Sequence, residues 1–122
     1  MIVRKAQIES IEGQAREQFV QFMQNHLNEH FPDHCKALGR QGVSEAIESG
    51  IARAEEHSMI SERDVCKFID LQFSFGQSFD SEHWARGVFS DPEIRNASTR
   101  IDALMDRAEA YLDSLRGRDT NS

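Results

Sequence analysis

The stretch 60–76, ISERDVCKFIDLQFSFG, constrains the fold more than any other part of the chain. It carries both a helix start and a helix stop. Ser61 is placed to accept free N–H groups of a first turn, Asp64 stands three residues on, where a capping box has its acid, and Ile60 and Val65 occupy the two positions of a hydrophobic staple. Gly76 ends the run, since glycine enters left-handed backbone without a Cβ clash. Between them, VCKFIDLQFSF is apolar on most of its circumference. Such a helix must be surrounded, so the rest of the chain has to supply elements that cover it, or a second copy has to, which keeps a homodimer in view. Gln72 interrupts the apolar surface and is expected at an edge or bonded to a neighbouring helix.

The covering elements read as helices too. No segment sustains the strict apolar/polar alternation of a strand, whereas apolar residues recur every three or four positions in long stretches. Over 7–30 the stripe is Ile8, Ile11, Ala15, Phe19, Phe22, Met23 and Leu27, with Gly13 weakening its start and Pro32 ending it. One short turn is predicted over 32–38, stopped by Gly39. A second long helix follows over 43–57, with Val43, Ile47, Ile51 and Ala54 on one side and Gly50 on that same face, where it would let another helix come close. The last long helix runs over 98–116 with Ile101, Leu104, Met105, Ala108, Tyr111, Leu112 and Leu115 in register. Gly117 is its expected end, and GRDTNS reads as a flexible polar tail. The fold class is therefore all-α: one domain, 1–116, a compact bundle of four main helices plus two or three short helical turns, and a tail, 117–122.

Aromatic residues are sparse except in FSFGQSFDSEHW at 73–84. The expectation here is a helix–turn–helix corner. Gly76 stops one helix, Asp80 caps the next, and Phe79 and Trp84 form an aromatic staple across the start of a short helix over 81–89. Asp91-Pro92 then reads as a cap followed by proline at a first helical position. If this region met a partner instead, the contact residues would be Phe75, Phe79, Asp80, Trp84 and Phe89.

Composition narrows the partners. A net charge of −7 opposes nucleic acid, whose phosphates need clustered cations, and opposes anionic membrane surfaces. No apolar run approaches the ~20 residues of a membrane span, and MIVRKAQIES is too short in apolar residues for a signal-peptide core, so a cytoplasmic location is expected. The two cysteines, Cys35 and Cys66, have no C-x-x-C spacing, and read as small buried apolar side chains without a disulfide.

Chemistry has few footholds. HLNEH at 26–30 matches the H-x-x-E-H pattern, in which His26 and His30 share one helical face and Glu29 would serve as base. His34 and Cys35 lie just beyond and would complete four ligands. Pro32 breaks the helix at once, however, and such peptidases need a far larger domain, so the expectation is solvent-facing histidines and no metal or other cofactor. Asp80 with His83, and Asp64 and Asp70 near Cys66, are further pairings, but capping already accounts for Asp80 and Asp64. There is no phosphate-cradling loop, nucleophile elbow or dinucleotide fingerprint. A non-enzymatic protein is expected.

The strings HFPDHCKALG, SERDVCKFIDL, FGQSFD, Trp84 and RIDALMDRAEAYL resemble, in matching order over nearly the whole chain, a group of small bacterial helical proteins encoded in type VI secretion and related toxin-delivery loci. The tyrosine-glycine pair usual in that group ahead of the central helix is His57-Ser58 here. The resemblance implies a protein-binding module with a protein partner: an adaptor or chaperone for an effector or spike component, or alternatively an immunity protein that neutralises a cognate toxin.

Overall fold

The computed structural model describes residues 14–121, and every regular element among them is helical. Five α-helices follow one another: α1 (Gln14–His30), α2 (Pro32–Glu56), α3 (Glu62–Phe75), α4 (His83–Ser90) and α5 (Ala97–Asn121), with a single 3-10 turn, Phe79–Ser81, ahead of α4. The all-α bundle expected from the periodicity is what forms. The predicted residues 7–13 of the first helix, with Ile8, Ile11 and Gly13, lie outside the described residues.

The direction of each helix can be read from its contacts. Arg16 on α1 reaches Glu48 on α2, so these two run antiparallel around the Phe31-Pro32 corner. Along α1 and α3, His26 meets Asp70 and Phe31 meets Phe73, so the two run parallel. Asp64 is bonded to Ser98 and Phe75 lies against Tyr111, which makes α3 and α5 parallel as well. α3 thus sits in the middle, with Val65, Phe68, Ile69, Leu71 and Phe73 all buried. Around it the core takes Met23 and Leu27 from α1, Ile47 and Ile51 from α2, and Ile101 and Leu104 from α5.

Several local signals act as read. Ser61 caps α3, its Oγ accepting the Asp64 N–H at 3.2 Å. The Asp64 carboxylate makes no return bond to the cap; it is buried and accepts from Ser98 Oγ at 2.8 Å and Arg63 Nη1 at 2.9 Å. The intended capping box is thereby spent on tying α3 to α5. Gly76 ends α3 at φ 106°, and Gly39 breaks α2 at φ 78°, so the expected stop at Gly39 is a kink with helix resuming at once. Gly50 is the close approach of α2 to α3: a Cβ there would lie 2.6 Å from Ile69 Cγ1 and 2.8 Å from Gln72 Oε1. Gln72 does not bond to a neighbouring helix; its Nε2 donates to the carbonyl of Gln77, closing the turn beyond Gly76.

Two expectations are corrected, and one buried residue is unanticipated. No helix starts at Pro92; Asp91 Oδ1 accepts the Glu93 N–H at 2.9 Å in a tight turn, and Asn96 provides the cap for α5 by accepting from Ser98 and Thr99. Aspartate satisfies its own backbone two residues on as readily as it caps a helix. Gly117 does not end α5, whose backbone is helical to Asn121. A glycine inside a helix costs about 1 kcal/mol relative to alanine, which weakens the helix without forbidding it. Finally, Met59 is fully buried between α2 and α3, although no periodic pattern includes it.

Candidate functional site

The aromatic corner assembles from α3, the 3-10 turn and α4. Phe79 has no exposed surface, packing at 5.0 Å from Phe68 and stacking on Trp84 at 6.0 Å. The aromatic contact expected between Phe79 and Trp84 is therefore present, but the helix register is not: Trp84 is the second residue of α4, and Glu82 holds the cap position. Trp84 also lies 4.9 Å from Phe75 and stacks on Tyr111, carrying the cluster across to α5.

Asp80 is not a helix cap. Its side chain, 8% exposed, takes both oxygens to Arg53 Nη2 at 2.7 Å and accepts or shares a proton with His57 Nε2 at 3.0 Å. Burial pushes the Asp80 carboxyl upward, but the hydrogen bonds from His57 and Arg53 outweigh it and hold the group below the usual carboxylate range. The His57 ring in turn stacks on Phe89 at 4.2 Å, and the His57 carbonyl accepts from Arg100 Nη1 at 3.0 Å. The last turn of α2, the 3-10 turn and α4 are thus joined through one carboxylate and one imidazole, and α5 joins them through the His57 carbonyl. Of the five residues set down as partner contacts, Phe79 is buried outright, Asp80 is engaged, and Phe75, Trp84 and Phe89 are half-buried parts of the core. His83 is exposed and makes no pair with Asp80, which is bonded elsewhere.

Beside this corner an open groove of about 430 Å³ runs between the start of α2 and the end of α3. Its walls include Leu38, Ala46, Phe73 and Phe75, together with Gln72 and Gln77. Leu38 is 48% exposed, a large apolar side chain standing at the edge of an apolar concavity.

Where α3 faces α1, a second constellation forms. His26 Nε2 lies 2.9 and 3.0 Å from the two oxygens of Asp70, and ligand atoms of His26, Cys66 and Asp70 all fall within 4.8 Å of one another. His26 is half-buried, not solvent-facing as read from HLNEH. Its i+4 neighbour His30 has its ring 4.6 Å away, while Cys35 is buried apart from the cluster and His34 packs near Phe31 and Phe73. The HLNEH motif therefore recruits α3, not the residues that follow it in sequence. Burial pushes the Asp70 carboxyl up, and His26 pulls it back. Burial and the Asp70 charge raise the Cys66 thiol to about 11, which leaves it a thiol near neutral pH and a poor nucleophile. The pairing of Cys66 with Asp70 is legible from their i,i+4 spacing; His26 is not, since nothing in the sequence says which helix α1 covers.

Comparison of the chain with protein-family models, characterised proteins and solved structures returned no match. No helix among the described residues is long and apolar enough to cross a membrane.

Proposed function

We propose that this chain is a non-enzymatic protein-binding module, an adaptor or chaperone that holds an apolar segment of a type VI secretion effector or spike component. The observation that carries the reading is the groove between α2 and α3, where exposed Leu38 stands over Ala46, Phe73 and Phe75. Such a groove suits an amphipathic segment laid in with its apolar side inward. The toxin-delivery context rests on the sequence resemblance alone. The net charge of −7 supports a second reading, an immunity protein for a basic toxin, because complementary charge speeds association.

The test is genetic and structural together. Under the adaptor reading, deleting the gene abolishes delivery of the cognate effector without harming the producer. A Leu38→Glu chain that melts like wild type reproduces that defect, because residue 38 is exposed and tolerates charge. Self-intoxication of the deletion strain would favour the immunity protein, and normal delivery by the Leu38→Glu strain would remove the groove from the mechanism.

A further inference from the structure

We propose that His26, Cys66 and Asp70 form a binding site for a borderline-soft divalent cation of the zinc class, which clamps α1 to α3. His26 and His30 are four residues apart on α1, and Cys66 and Asp70 are four apart on α3, so each helix presents a pair on one face. Because the two helices run parallel, the pairs meet: His26 Nε2 already touches Asp70, and the Cys66 sulfur completes a triangle of donors no more than 4.8 Å on a side.

That triangle has the right chemistry and nearly the right size. Zinc takes thiolate, imidazole and carboxylate ligands, with bonds of about 2.0–2.3 Å, so tetrahedral nitrogen and oxygen ligands stand roughly 3.3 Å apart. His26 Nε2 and Asp70 Oδ1 are 2.9 Å apart. A cation replacing the shared proton would spread this pair by only a few tenths of an ångström, and the sulfur would swing inward by about an ångström. Mixed N/S/O donors select zinc-like ions over magnesium or calcium, which prefer oxygen alone. Binding would release the Cys66 proton to solvent, send the proton between His26 and Asp70 to solvent or to His26 Nδ1, and leave a thiolate on the metal.

The surroundings favour occupancy. The cations lining the same hollow, Arg63 and Lys67, are paired with Asp102, Arg63 at 2.6 Å and Lys67 at 3.3 Å, and neither is bonded to Asp70. Phe22 stacks on the His26 ring at 5.9 Å and lines the same hollow, giving the site an apolar lid. His30, whose ring lies 4.6 Å from that of His26, is the candidate for a fourth ligand; otherwise water fills that position.

The experiment uses cobalt(II) as the probe on the reduced, full-length chain. The expected result is about one ion bound per chain, with a thiolate-to-cobalt charge-transfer band and the visible bands of tetrahedral coordination, all displaced by zinc. His26→Ala and Cys66→Ser lose the charge-transfer band, Cys35→Ser keeps it, and His30→Ala weakens binding by about 10- to 100-fold. A second measurement needs no variant: zinc should protect Cys66 from alkylation in the wild-type chain, mapped by peptide mass spectrometry. The proposal is overturned if the folded wild-type chain gives no charge-transfer band, if Cys66→Ser keeps the band, or if zinc leaves alkylation of Cys66 unchanged.

Discussion

Asp80 and Arg53, 27 residues apart, meet through both carboxylate oxygens at 2.7 Å, and this pair closes the corner that the aromatic residues fill. The short polar side chain that opens a turn is here a long-range anchor.

Asp80→Ala should therefore cost more than a lost cap. Removing the acceptor leaves Arg53 and His57 without their partner, worth about 2–3 kcal/mol for hydrogen bonds to charged groups, against about 1 kcal/mol for a cap. Urea denaturation measures it, and a loss no larger than that of Ser61→Ala would refute the anchor. The pH dependence follows in sign. The folded carboxyl lies below its unfolded value, so its contribution is fully present above the unfolded value, near pH 4, and disappears as pH falls through the folded one. Wild type should lose stability on acidification in that window more steeply than Asp80→Ala.

Phe79→Ala empties a fully buried position between Phe68 and Trp84 and should cost about 3–5 kcal/mol. Thermal melts check it. A variant that melted like wild type while losing a partner would make the corner a contact surface.

Gly50→Ala places a methyl 2.6 Å from Ile69 Cγ1. Overpacking of this kind costs about 1–3 kcal/mol, and the gain in helix propensity returns at most about 1. The net expectation is a destabilisation of about 1–2 kcal/mol by chemical denaturation; an unchanged midpoint would mean that α2 and α3 separate freely.

Ser58→Gly should stabilise. Ser58 stands at φ 63°, in the left-handed region, just after α2. Relief of the Cβ clash is worth about 1–2 kcal/mol, reduced by the greater freedom of glycine in the unfolded chain. A rise of about 0.5–1 kcal/mol is expected, and a fall in the melting temperature would contradict it.

How far the sequence could be read depends on the range of each interaction. Ser61, Gly39 and Gly76 are legible because capping and left-handed backbone are decided within a few residues. Gly50 is legible because a missing side chain on an apolar helix face has few other uses. Asp80 is misread for the complementary reason: a carboxylate at a turn looks like a cap whether it bonds to the next three residues or to Arg53 on another helix. HLNEH shows which histidines share a face, but its partner on Asp70 lies 44 residues away. The order of helices around α3 is a property of the packed core, and periodicity alone does not encode it.

The parallel run of α1 and α3 has a consequence for how the chain assembles. Two parallel neighbours cannot be joined by a short turn, so all of α2 must fold back before His26 can meet Asp70. No two-helix fragment contains that contact, and closing so long a loop delays it relative to the antiparallel pairs on either side. The His26–Cys66–Asp70 cluster thus marks a late step of folding. It comes into being only when three consecutive helices have docked.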